Sequence, residues 1–357
     1  MSEVNQTAVQ PVEPKKSGFD WSSLTIRSLA ELAGTFMICL VAYAAGSYGT
    51  VLYGASPILI LLATALAYAG AGAAFAKVSG SHFNPAVTLA AVLTSRIGWI
   101  DAIAYVIAQV LGGIAAGALI VKVLPTSQNV THKLWLASAV NGYGDNSPSA
   151  SMLSQTGISF GVAFAIALEV SMGLLVIAAT IATLRKDGTA TDQHALATGL
   201  AYGVAAAVTF PVTGAGLNPA RSTGIALFAQ GKGLSVEPLT QLPIFWVCPL
   251  LAGALVALVM LVADLMTKSA ATKTADKQAV IIDQQPFAAN DAEAQGFAQT
   301  PQTVEVDADA DTTAEQSTEA TEADKANTGI VDEESVEQTE SSAFDDTNEQ
   351  TEDAEKR

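Results

Sequence analysis

The chain has 357 residues, half of them hydrophobic and 14% charged, with a formal net charge of −17. From residue 267 onward it carries 6 Lys/Arg against 23 Asp/Glu, which is the whole acidic surplus; the residues before it hold 11 of each. So many long apolar runs in so uncharged a front part exclude a soluble enzyme, and nothing in the sequence speaks for nucleic acid as a partner.

The N-terminal segment, residues 1–27, is polar and includes Lys15 and Lys16 without the apolar core of a signal peptide. Six runs then approach the roughly 20 residues that a helix needs to cross a bilayer: Ala30–Gly49, Pro57–Ala76, Ile100–Val123, Ile158–Leu184, Ala195–Pro211 and Pro243–Leu265. Both cysteines, Cys39 and Cys248, fall inside predicted spans, where they read as small apolar residues. Lys15, Lys16, Arg27, Arg96, Arg185, Lys186 and Lys268 gather at the N-terminus, the second and fourth connections and the C-terminus. Both termini are therefore expected in the cytoplasm of a multi-pass protein of the cell membrane. Residues 267–357, rich in Asp, Glu, Thr, Ala, Gln and Ser, read as an acidic disordered cytoplasmic tail, a solvated spacer or a docking segment.

An internal repeat organises residues 28–266. The stretch Ser79-Gly80-Ser81-His82-Phe83-Asn84-Pro85-Ala86-Val87-Thr88 is echoed 134 residues later by Gly214-Ala215-Gly216-Leu217-Asn218-Pro219-Ala220-Arg221-Ser222-Thr223. Glu31 in the first span and Glu169 in the fourth form a second, looser pair. Each repeat, about 28–123 and about 158–265, holds three spans, and three is odd. The second must enter the membrane from the opposite side. Inverted repeats of this kind place a substrate site near the midplane, on discontinuous helices.

The two Asn-Pro-Ala triplets read as the starts of those helices. Asparagine is a good N-cap, and proline suits the first helical position, where its missing N–H would be unpaired anyway. The apolar stretches that follow, Val87–Leu93 and Thr223–Phe228, are too short to span. Two half-helices are thus expected to enter from opposite faces and meet N-terminus to N-terminus.

At these residues the sequence resembles the major intrinsic protein family, the aquaporins and glycerol facilitators. The resemblance extends to Ala30-Glu31-Leu32-Ala33-Gly34-Thr35, Tyr105-Val106-Ile107-Ala108-Gln109 and Asn141-Gly142-Tyr143-Gly144, the last similar to bacterial water channels. It implies an all-α membrane protein of six transmembrane helices plus two re-entrant half-helices. It also implies a pore in each subunit of a homotetramer, water and small uncharged solutes as permeants, and no cofactor or metal. Asn84 and Asn218 would offer amides to the permeant, while the half-helix N-termini, each with about half a positive charge, repel cations.

The same resemblance assigns a selectivity filter to Thr64, Ala206, Ala215 and Arg221, with Tyr68 as the alternative to Thr64. An arginine inside a membrane is expensive and marks a functional site. Strict water channels of the family carry an aromatic residue at the first of these positions and histidine at the second, and His82, His132 and His194 all lie elsewhere. Small residues at three positions imply a wider aperture that admits glycerol or urea; Ser222, Thr223 and the Phe245-Trp246 pair instead resemble water-type members. Glu31 and Glu169 have two readings: ion sites of a coupled transporter, or acceptors for backbone N–H groups of the re-entrant segments, which the repeat favours. Lys77, at the cytoplasmic mouth, is a gate or a snorkelling span-end residue.

Overall fold

The computed structural model describes residues 20–283, Ala55 excepted. Eight helices carry the architecture: α1 (Trp21–Ala44), α2 (Pro57–Ser79), α3 (Pro85–Leu93), α4 (Trp99–Val123), α5 (Val162–Ala182), α6 (His194–Thr213), α7 (Pro219–Ala229) and α8 (Pro238–Asp283). Six are long and apolar enough to cross a membrane, and no strand forms among the described residues. Their outward faces are apolar: Leu62 and Leu66 on α2, Ile103 and Ile107 on α4, Leu200 and Val204 on α6 are all exposed. Water would penalise such a surface; hydrocarbon does not.

Two boundaries differ most from the sequence reading. The first helix begins before residue 28, because Asp20 caps it: its Oδ1 accepts the backbone N–H groups of Ser22 and Ser23, both at 3.1 Å. One turn later Arg27 pairs with Asp101 of α4 at 3.0 Å. At the other end α8 runs to Asp283, so residues 267–283, expected to be disordered, continue the last span as helix. They are rich in Ala and Lys and contain neither Gly nor Pro, so nothing in them breaks the helix. The rest of the acidic tail, and the N-terminal segment as far as residue 19, lie outside the described residues.

Packing follows the repeat. The pairs α1–α4, α1–α2 and α7–α4 recur as α5–α8, α5–α6 and α3–α8, while α2 meets α6 and α3 meets α7. That is the pattern of two equivalent halves about a twofold axis running between α2 and α6. Close crossings are made by small residues, as in membrane bundles generally. Where α4 crosses α7, a Cβ built on Gly224 would lie 2.1 Å from the Gly113 carbonyl oxygen. Gly224→Val is accordingly expected to separate α7 from α4 and prevent a stable fold, read as loss of monodisperse protein on gel filtration in detergent.

Candidate functional site

Local chemistry fixes the two half-helices. Asn84 Oδ1 accepts the Ala86 N–H at 2.8 Å and Asn218 Oδ1 accepts the Ala220 N–H at 3.0 Å, so each asparagine caps its helix ahead of Pro85 or Pro219. The helices have 9 and 11 residues. At about 1.5 Å per residue they total about 30 Å, the thickness of the hydrocarbon core, so neither crosses alone and the pair just does.

The stubs are tied to each other reciprocally. Asn84 Nδ2 donates to the Leu217 carbonyl at 2.9 Å, and Asn218 Nδ2 donates to the Phe83 carbonyl at 2.8 Å. The loops leading in are equally matched: Gly80, Ser81 and Phe83 have φ of 84°, 56° and 48°, and Gly214, Ala215 and Leu217 have 71°, 57° and 52°. Left-handed backbone at four non-glycine residues is strained and persists only where surroundings enforce it.

Glu31 and Glu169 supply that enforcement. Glu31 Oε1 accepts from the Ser79 hydroxyl at 2.6 Å and the His82 N–H at 3.0 Å; Oε2 accepts from the Phe83 N–H at 2.6 Å and Gln109 Nε2 at 2.8 Å. Glu169 Oε1 accepts from the Thr213 hydroxyl at 2.5 Å and the Gly216 N–H at 3.0 Å, and Oε2 from the Leu217 N–H at 2.7 Å. Both are fully buried, and both are spent on backbone that would otherwise be unpaired in hydrocarbon.

Thr64, Ala206, Ala215 and Arg221 border one cavity of about 20 Å³, together with Tyr68, Tyr202 and Leu217. That volume holds about one water. Arg221 is 6% exposed and makes no ion pair among the described residues. Its Nη1 donates to Asn141 Oδ1 at 2.5 Å, and Asn141 Nδ2 is itself anchored on the carbonyls of Thr213 and Gly214 at 3.1 and 2.8 Å. The Tyr43 hydroxyl holds the Arg221 carbonyl at 2.6 Å. Thr64 is half-buried at the cavity wall. Tyr68, a turn further along α2, directs its hydroxyl to Asn218 instead. No histidine borders the cavity: His82 reaches Thr88, and His194 reaches Thr183. Lys77 is exposed and lies with Arg27, Arg96 and Arg185 around a separate open cavity of about 630 Å³ at the other end.

Several contributors were not predicted from the sequence. Asn141 belongs to the Asn141-Gly142-Tyr143-Gly144 motif, but its hold on Arg221, 80 residues away, has no signature in spacing. Gln109 gave no hint of its place beside Glu31. Tyr202 had a signal: it follows Tyr68 by 134 residues, the interval of the triplets.

Six spans in two inverted halves, with capped half-helices meeting at buried asparagines, define a multi-pass membrane protein built for a midplane site. The family model of the major intrinsic protein matches residues 20–260, and the chain belongs to that family. It is 35% identical over 235 residues to Aquaporin Z of Rhodopseudomonas palustris, covering 65% of this chain and 90% of that one. Over 210 residues it is 36% identical to glycerol uptake facilitator protein-like 6 of Lactiplantibacillus plantarum, covering 58% and 86% respectively. Among solved structures, the aquaglyceroporin from Plasmodium falciparum shares the fold with a TM-score of 0.51 at 18% identity, covering 66% of this chain and 93% of that chain.

Proposed function

We propose that this protein is a passive channel for water and small neutral solutes such as glycerol or urea, excluding ions and protons. The observation that carries the reading is the single cavity ringed by Thr64, Ala206, Ala215 and Arg221, directly beside the meeting point of the two half-helices. Donors and a fixed cation surround it, and no carboxylate borders it. Alanine at 206 and 215 leaves the ring free of bulk and of a second cationic side chain, which favours solutes larger than water. The relatives named for water and for glycerol agree with either permeant. An ion-coupled mechanism would need Glu31 or Glu169 to titrate during transport, and both are committed to holding backbone. The same reading places the chain as a homotetramer in the plasma membrane, with both termini cytoplasmic and with no catalytic role.

The test is stopped-flow light scattering on proteoliposomes, comparing water, glycerol and urea. Flux of all three above protein-free vesicles is expected, and water flux alone would overturn the solute assignment. Ala206→His, which adds bulk to one side of the ring, is expected to slow glycerol and urea more than water. Equal slowing would remove Ala206 from the lining.

A further inference from the structure

Beneath the outer ring, two tyrosines meet on the twofold axis. Tyr68 of α2 and Tyr202 of α6 occupy equivalent positions of the two repeats. They are 3% and 1% exposed, and their rings are stacked with centroids 3.5 Å apart and planes 7° from parallel. The Tyr202 hydroxyl accepts from Asn84 Nδ2 at 2.7 Å, and the Tyr68 hydroxyl accepts from Asn218 Nδ2 at 3.0 Å.

An asparagine amide nitrogen has two protons to give. In each triplet one goes to a carbonyl of the opposite stub and the other to a tyrosine. Neither asparagine then has an amide proton left over for a permeant. The two tyrosines border the cavity beside Arg221, which shares no lining residue with the larger cavity around Lys77. The tyrosine hydroxyls therefore stand where a solute's oxygen would have to be.

We infer that the Tyr68–Tyr202 pair is a central barrier which must part for each passage, and that this pair, rather than the outer ring, sets the rate and the size limit of the pore. The inference rests on the passive-channel reading above. Parting frees one N–H on each asparagine, and a permeant with hydroxyl or carbonyl oxygens can take both. Water, polyols and urea meet that requirement; the tyrosines hold the site in their absence. Small outer-ring residues and a tight centre then make one consistent design, in which selection has moved inward.

The experiment compares the wild-type chain with Tyr68→Val, Tyr202→Val, the double valine and the double phenylalanine variant, all in proteoliposomes. Stopped-flow rates for water and glycerol are recorded over a range of temperature. Removing both rings is expected to raise glycerol permeability about tenfold, with water rising less, and to lower the temperature dependence of water flow. The double phenylalanine variant keeps the rings but loses both hydroxyls, so it is expected to keep the narrow size limit while its temperature dependence falls part of the way toward that of the double valine. Each single valine variant shifts in the same direction as the double, and carries the test if the double does not elute as the wild type does on gel filtration. A conducting wild type, with well-folded valine variants no faster and no less temperature-dependent, overturns the barrier. If neither the wild type nor any variant conducts water above empty vesicles, the channel reading itself falls.

Discussion

Glu31→Ala is expected to abolish conduction and to lower the stability of the detergent-solubilised protein by at least about 4 kcal/mol. The side chain satisfies four buried donors: the Ser79 hydroxyl, the His82 and Phe83 N–H groups, and Gln109 Nε2. Each donor left unpaired in a buried site costs about 1–3 kcal/mol. The left-handed Ser81 and Phe83, which are strained in their own right, then lose what holds them. The first half-helix is no longer aimed at the second, and the Asn84–Leu217 tie breaks with it. Glu31→Gln, which keeps one acceptor but turns a donor toward other donors, is expected to fall between. Glu169→Ala removes three bonds rather than four, so its loss is expected to be smaller. Thermal unfolding of the purified protein measures the order; a Glu31→Ala protein as stable as the wild type would contradict this account of the loop.

Arg221→Ala is expected to leave the fold intact and to open the pore to cations. The guanidinium is the fixed positive charge on the cavity, nearly buried and without an acidic partner among the described residues. A monovalent cation about 5 Å away, at an effective dielectric constant of about 20, is repelled by about 3 kcal/mol, or a few-hundred-fold in occupancy. Asn141 keeps its backbone anchors and its bond to the Ser222 hydroxyl at 2.9 Å, so the outer loop has no reason to collapse. Faster decay of an imposed pH gradient in proteoliposomes is the expected result, and Arg221→Lys, which retains the charge, is expected to restore most of the seal. An unchanged leak in Arg221→Ala would assign cation exclusion to the half-helix dipoles alone.

What the sequence made legible were features under a hard local constraint. A half-helix that starts in mid-membrane needs a cap and tolerates proline, so Asn84-Pro85 and Asn218-Pro219 stand out, and the interval between them exposes the repeat. The four residues that share the small cavity were reached through the family resemblance, by counting from the triplets without gaps. Less legible were features set by contacts across the bundle. Tyr202 in its Ala-Tyr-Gly context resembles any aromatic residue in an apolar span, and its stacking on Tyr68 depends on how closely α2 and α6 approach. Asn141 is tied to Arg221 only by the fold. The two outermost helix ends have ordinary reasons to escape an apolar pattern: Asp20 is a cap ahead of the apolar run, and residues 267–283 are polar yet good helix formers.

Beneath every functional statement above lies one claim, that the meeting point of the two half-helices is a passage needing no energy source. Osmotic water flow into proteoliposomes, recorded with and without imposed proton and sodium gradients, tests it most directly. The expected result is flow above protein-free vesicles, equal in all conditions and in both directions. Flow that appears only with a gradient, or none at all from well-folded protein, would contradict it.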